Sequence, residues 1–180
     1  MRYFTTYQSP IGVISLACEK DALIGLWIEG QKYHGSTNIA SVSTERLNLQ
    51  IFNDVKKWLD SYFDGNKPSI AQLKLQPAGS VFRQSVWDIL CQIPYGELIT
   101  YGAIAKKMAT SMNKVKMSSQ AVGGAVGHNP ISIIIPCHRV VGTNGSLTGY
   151  AGGISTKVKL LELEGVDMSK LFVPKKGTAL

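Results

Sequence analysis

The sequence predicts an α+β chain in two parts: a small antiparallel sheet with one amphipathic helix, then a helical half holding a helix-turn-helix. Three observations carry this. Residues 1–34 alternate apolar and polar in short runs, the two-residue period of half-buried strands. From Thr44 the apolar residues recur every four positions instead. After a Gly- and Pro-containing stretch at 64–80, further helical patterns follow.

In chain order, residues 11–16 and 22–28 read as strands, bounded by turn signals at Ser9-Pro10 and Glu29-Gly30. Residues 35–43 read as a polar loop. Leu47, Ile51, Val55 and Leu59, widened by Phe52, Trp58 and Phe63, form the apolar stripe of a helix that starts near Ser43 or Thr44 and ends at Gly65-Asn66-Lys67-Pro68. Ser80 or Ser85 caps the next run, with Phe82, Val86, Ile89 and Leu90 on one face. Pro94-Tyr95-Gly96 is a turn, and Thr100 caps a helix bearing Tyr101, Ile104 and Met108. A polar break at 111–116 leads to a helix of small residues at 118–127. Its Gly123 and Gly124 each cost about 1 kcal/mol relative to Ala, so they imply close approach of another backbone, within the protein or in a DNA groove. A final helix at 155–164 is closed by Gly165. The expected domains are 1–78 and 79–168, with a tail at 169–180.

The net charge of +7 is unevenly placed. Residues 1–78 hold 8 basic and 7 acidic side chains, whereas 79–180 hold 11 and 5. A basic second half fits a polyanionic partner such as nucleic acid, or a solvated surface. Three separated cysteines, Cys18, Cys91 and Cys137, do not make a disulfide framework, and no CxxC or HxxxH spacing supports a zinc site. With no secretory leader and no apolar run of membrane-spanning length, the expectation is a soluble, cytoplasmic protein, or a nuclear one if its cell has a nucleus.

The chemistry centres on residues 133–141. Ile133, Ile134 and Ile135 read as a short buried strand that Pro136 terminates, which sets Cys137 just past a strand end. A free thiol titrates near ~8.5 and needs help to ionise at neutral pH. His138 supplies a potential base and Arg139 a fixed positive charge. Contact between Cys137 and His138 requires a turn or a bridging water, because neighbours in a strand face opposite ways. Glu164 either orients His138 or is an exposed charge.

Pro136-Cys137-His138-Arg139-Val140 resembles the active-site signature of the O6-alkylguanine-DNA alkyltransferases, the methylated-DNA–protein-cysteine methyltransferases. Matching pieces surround it: Pro94-Tyr95-Gly96-Glu97, Thr100-Tyr101-Gly102, the Ala121 to Ala125 run, Asn129-Pro130, and Thr148 to Gly153. The resemblance is strong over about 80–165 and weaker before it, through Ser9-Pro10-Ile11-Gly12. It implies a ribonuclease-H-like first domain and a winged-helix-like second one. The implied activity is single transfer of an alkyl group from guanine O6 to Cys137, without cofactor or metal, by a monomer acting on double-stranded DNA.

By resemblance, Cys137 is the alkyl acceptor, His138 draws its proton through a water, and Glu164 orients His138. Asn129 braces the turn, and Tyr101 meets N3 of the flipped guanine. The carbonyls of Cys137 and Val140 accept from its N2 amine, Tyr150 walls the pocket, and the Ala151 N–H approaches O6. Ser119, Gln120, Ala121, Gly124 and Arg139 face DNA, with Lys106, Lys107, Lys114 and Lys116 near phosphate. Two departures stand out: Gln120 replaces the arginine that wedges into the base stack, and Ala151 replaces a common serine. Only Cys18 remains of the zinc pattern of some relatives. The rival readings are a damage binder without transfer, a transcription regulator and a cysteine hydrolase.

Overall fold

Strands β1 (Arg2–Ser9), β2 (Gly12–Glu19) and β3 (Ala22–Ile28) form an antiparallel meander, in register from Arg2 opposite Glu19 to Ser9 opposite Gly12. The coordinates are a computed structural model that describes residues 1–34, 43–45 and 48–175. The chain divides into two compact units, Met1–Ala78 together with Pro130–Ile134, and Gly79–Asn129 together with Ile135–Leu180. Among the described residues, no helix is long and apolar enough to cross a membrane.

In the first unit the sheet order is β3-β2-β1-β4, with β4 (Ser43–Glu45) parallel to Arg2–Phe4 of β1. This corrects the expected helix start. Ser43 and Thr44 are good capping residues, but here the backbone pairs with the open edge of β1, a partner forty residues away that local pattern does not reveal. Helix α1 (Gln50–Phe63) begins after Leu49, without a side-chain cap, and buries Ile51, Phe52, Val55, Trp58, Leu59 and Tyr62. Leu47 and most of the expected loop lie outside the described residues. Every residue of β3 is buried. Its outer edge is covered too: Leu23 pairs with the 74–76 backbone and Leu26 with Pro130 and Ser132.

The expected isoleucine strand is absent. Ile131 makes one bridge to Leu26, and the chain then turns, with the Ile134 N–H on the Ser132 carbonyl at 2.8 Å across Ile133 at φ 70°. A positive φ is rare for a β-branched residue. The carbonyl of Pro130 and the N–H of Ser132 already bond to Leu26, while Pro136 ends any extension downstream. Three isoleucines thus mark burial rather than extended geometry.

The second unit contains α2 (Val81–Cys91), α3 (Tyr101–Ser111), α4 (Ser119–Gly127), α5 (Ile154–Leu163) and a parallel pair, β5 (Ile99–Thr100) with β6 (Val140–Val141). Three helices carry the same cap: Ser80, Thr100 and Ser118 accept from the N–H groups of Arg83, Ala103 and Ala121. Each such cap is worth about 1 kcal/mol. The core holds Val86, Trp87, Leu90, Ile104, Met108, Val122 and Val126, and the Trp87 indole donates to the Ala125 carbonyl at 2.9 Å. Helices α3 and α4 are the helix-turn-helix pair. A Cβ on Gly123 would sit 3.9 Å from the Tyr101 ring, and one on Gly124 would meet nothing within 4 Å. Internal packing therefore does not explain Gly124.

Residues 142–147 form a loop edged by the last described segment. The Leu147 N–H donates to the Phe172 carbonyl and the Phe172 N–H to the Gly145 carbonyl, so the backbone at 172 is paired rather than trailing away. Gly145 has φ 86°, and a Cβ there would lie 2.2 Å from the Lys170 carbonyl oxygen. Gly153, at φ 89°, has open space around it. Gly153→Ala should lose about 1–2 kcal/mol of backbone energy alone, and Gly145→Ala distinctly more. Urea denaturation of both variants against the parent checks the ranking.

Candidate active site

Cys137, His138 and Arg139 form a single 3-10 turn, with the Val140 N–H closing on the Cys137 carbonyl. Pro136 sets it up. Its φ of −81° and ψ of 63° bring the Cys137 N–H onto the Ile135 carbonyl at 2.8 Å, an inverse γ-turn. The Asn129 amide holds the same place from the other side. Its Nδ2 donates to the Ile135 carbonyl at 2.8 Å and to Cys137 Sγ at 3.1 Å. Cys137 is 3% exposed. Burial pushes its thiol above the ordinary value, while the Asn129 donor and the Lys157 charge pull it back.

Behind the turn lies Glu164, whose side chain is fully shielded from solvent. Its Oε1 accepts from His138 Nε2 at 2.7 Å and Arg139 Nη2 at 2.9 Å. Its Oε2 accepts from Arg139 Nε at 2.8 Å and the Gly96 N–H at 3.0 Å. Burial works against this carboxylate, but the hydrogen bonds from His138 and Arg139 outweigh it and hold the group well below the carboxylate range. Burial lowers the His138 pKa, and Glu164 offsets only part of that. The imidazole is therefore neutral at neutral pH. An ionised carboxylate only accepts, so the proton sits on Nε2 and the lone pair on Nδ1.

Local structure explains how Glu164 arrives there. It is the last residue of α5, and Gly165 at φ 73° reverses the chain, with the Gly165 and Val166 N–H groups on the carbonyls of Glu162 and Leu161. The turn at 94–96 is built for the same carboxylate. Gly96 takes φ 79° to aim its N–H, and a Cβ there would lie 2.9 Å from the Glu164 carbonyl oxygen.

The same helix brings a second charge. Lys157 is fully buried, and its Nζ donates to the carbonyls of Val140 at 2.5 Å and Thr148 at 2.8 Å. The Thr148 carbonyl also accepts from the Tyr101 hydroxyl at 3.1 Å. Tyr150 is buried, with its ring edge toward His138 at 6.4 Å.

Two sequence-family models cover nearly the whole chain: the ribonuclease-like domain of 6-O-methylguanine DNA methyltransferase over residues 2–77, and its DNA-binding domain over 81–166. A methylated-DNA–protein-cysteine methyltransferase of Methanosarcina acetivorans is 42% identical, over 91% of this chain and 98% of its own. The chain belongs to this methyltransferase family. A relative with the same name from Mycobacterium tuberculosis is 40% identical over 91% of this chain and 93% of its own. The crystal structure of M. tuberculosis OGT in complex with DNA superimposes with a TM-score of 0.78 at 39% identity, covering 90% of this chain and 92% of that one.

For a methyltransferase of this family, the structure gathers Cys137, His138, Glu164, Asn129, Tyr101, Val140 and Tyr150 within the second unit, with Ala151 half-buried beside Tyr150. Ser119, Gln120 and Ala121 are exposed in the first turn of α4, and Gly124 is half-buried one turn on. Lys106, Lys107, Lys114 and Lys116 are exposed. Arg139 departs from expectation. It is 6% exposed, its guanidinium is bonded to Glu164 and the Ile93 carbonyl, and it stacks near Tyr95. It therefore organises the buried cluster and does not face DNA.

Sequence reasoning missed Lys157. The signal was present: Leu160 and Leu161 follow at i+3 and i+4, which places the lysine on the apolar stripe of α5.

Replacing Glu164 by Gln leaves the Arg139 charge buried without its anion, which should cost about 3–5 kcal/mol at pH 7. The folded pKa of Glu164 lies below its ordinary 4.5, so this stability is complete above that pH and is lost as pH falls toward the folded value. Denaturation of both proteins between pH 7 and 3 should show the difference shrinking only below about 4.5.

Proposed function

We propose that this protein repairs DNA by moving the alkyl group of an O6-alkylguanine onto Cys137, once per molecule and without a cofactor. The observation that carries this is the shielded Cys137 thiol, which accepts from Asn129 at 3.1 Å in the same turn as a neutral imidazole bonded to Glu164. A hydrolase would need a way to release its adduct. A thioether has none, so the reaction stops after one turnover.

The steps balance as follows. His138 Nδ1 takes the Cys137 proton through a water, with Glu164 supporting the charge that develops on the ring. The thiolate attacks the alkyl carbon in line with the bond to O6; the C–S bond forms and the C–O6 bond breaks. The electron pair stays on guanine, whose oxyanion is stabilised by the Ala151 N–H and by a proton at N3 from Tyr101. The proton that left Cys137 returns to that site, so the products are a thioether and ordinary guanine. Tyr101 must first release the Thr148 carbonyl, which keeps Lys157 as a donor. The Val140 carbonyl, already bonded to Lys157, has a second lone pair for the guanine N2 amine.

The target atom is hidden in stacked DNA, so the nucleotide is flipped out of the duplex. Helix α4 approaches the minor groove with Ser119, Ala121 and Gly124, and the absence of neighbours around a Cβ at Gly124 supports that approach. Exposed lysines on α3 and in the following loop neutralise phosphate. Such readout is degenerate, so repair is largely independent of sequence. The protein acts as a monomer, in the compartment that holds the DNA.

Incubation with an oligonucleotide carrying one O6-methylguanine should add one methylene per protein, mapped to Cys137 and absent in Cys137→Ala. Tight binding without mass gain would replace this reading with that of a damage binder. Gln120 is exposed and uncharged where relatives place a wedging arginine. Gln120→Arg should therefore raise the single-turnover rate on duplex substrate; an equal or lower rate counts against an extrusion role for this position.

A further inference from the structure

Lys157 is an expensive residue to bury. Its ammonium leaves water completely, and in return it bonds to two neutral carbonyls, Val140 and Thr148. Neither is an anion, so the pair does not offset the loss of hydration of a full charge. The nearby carboxylate is committed elsewhere: both Glu164 oxygens are occupied by His138, Arg139 and Gly96. A methionine would fill the same volume at less cost, so the charge calls for a use.

Position supplies one. Lys157 and Glu164 lie seven residues apart on α5, two turns along one face. The helix thus sets a cation and an anion against the same short segment, Glu164 behind His138 and Lys157 at the Val140 carbonyl that follows the turn. Through the Thr148 carbonyl, Lys157 also ties this segment to the strand of chain that carries Tyr150 and Ala151. We propose that Lys157 is a positioning residue for the transfer: its ammonium clamps the carbonyls of Val140 and Thr148, fixing the acceptor turn against the Tyr150 wall, and holds a positive charge toward the Cys137 thiolate. This rests on Cys137 being the acceptor.

The groups facing this region are Cys137, His138 and Arg139 of the turn, Tyr101 of α3, Tyr150, and Glu164 on the same helix. Burial pulls the Lys157 pKa down to about 8, and Cys137 is the group that pulls it back up. The coupling is mutual, since the lysine charge favours the Cys137 thiolate. The clamp also eases the motion required of Tyr101. When its hydroxyl turns toward guanine, the Thr148 carbonyl keeps a donor and is not left buried and unsatisfied.

The test uses the full chain, with Lys157→Met and Lys157→Arg. The pH midpoint for alkylation of Cys137 by iodoacetamide is read by peptide mass, with Cys91 as an internal reference, alongside the rate of methyl transfer from an O6-methylguanine duplex. Lys157→Met should raise the Cys137 midpoint by about one unit, a tenfold loss of thiolate at fixed pH. Transfer should slow at least tenfold, with the Cys91 curve and duplex affinity unchanged. Lys157→Arg, which keeps the charge, should stay within about threefold of the parent in rate. A folded Met variant whose midpoint does not move overturns the proposal, whether or not its rate falls, because that pattern is structural only. If the Met variant does not fold, the unmutated protein decides by NMR titration of the Lys157 side chain. Methylating Cys137 removes the anion and should lower the lysine midpoint by half a unit or more; an unchanged midpoint overturns the charge coupling. Failure of the parent to gain a methyl on Cys137 would instead count against the acceptor assignment, since the iodoacetamide midpoint is measured without DNA.

Discussion

The buried carboxylate of Glu164 organises this molecule's second unit. Four hydrogen bonds from three residues converge on its two oxygens, and three of those four come from the turn that follows Cys137. In a low-dielectric interior such bonds are strong because nothing competes for them, and any one left unmade is costly. The arrangement therefore specifies a set of positions at once: the end of α5, the 94–96 turn, the orientation of Arg139 and the tautomer of His138. The last of these is chemical as well as structural, because a carboxylate at Nε2 leaves the basic lone pair at Nδ1.

Charge is distributed along α5 with a consistent logic. An acidic residue at a helix C-terminus opposes the helix dipole, yet Glu164 sits there and is stabilised by Arg139 and His138 rather than by the helix. Lys157, two turns earlier, lacks a carboxylate partner and is held by carbonyls. Each buried charge would be a liability in isolation. Together they flank the acceptor turn with opposite signs, so the segment between them has a defined electrostatic asymmetry. Arg139 belongs to the same economy of placement: its charge neutralises Glu164 and is therefore withheld from any surface that meets a polyanion.

The backbone around Cys137 is irregular where it could have been a strand. Ile133 at positive φ, the inverse γ-turn at Pro136 and the 3-10 turn after it follow one another within seven residues. Their donors and acceptors are matched locally, and Asn129 meets the Ile135 carbonyl from outside the segment. A continuous ladder would have committed the Cys137 N–H and carbonyl to a neighbouring strand, and would have turned His138 to the opposite face. Tight turns instead present Cys137 and His138 on one structure, which is what relay through a single water requires.

Much of this was legible in the residues themselves. The capping hydroxyls of Ser80, Thr100 and Ser118, the apolar stripe of α1 and the Gly165 stop are short-range features, and all appear as read. The motif around Cys137 pointed to the family and to an acceptor thiol. Three things were decided only by the tertiary structure: the pairing of 43–45 with β1, the turn at Ile133, and the burial of Arg139 and Lys157. Each depends on a partner distant in the chain, an open strand edge, a committed carbonyl or a carboxylate already in place. Periodicity records which face of an element is apolar. It does not record which buried charge will find which partner, because that choice is made by desolvation and by hydrogen bonds across the fold.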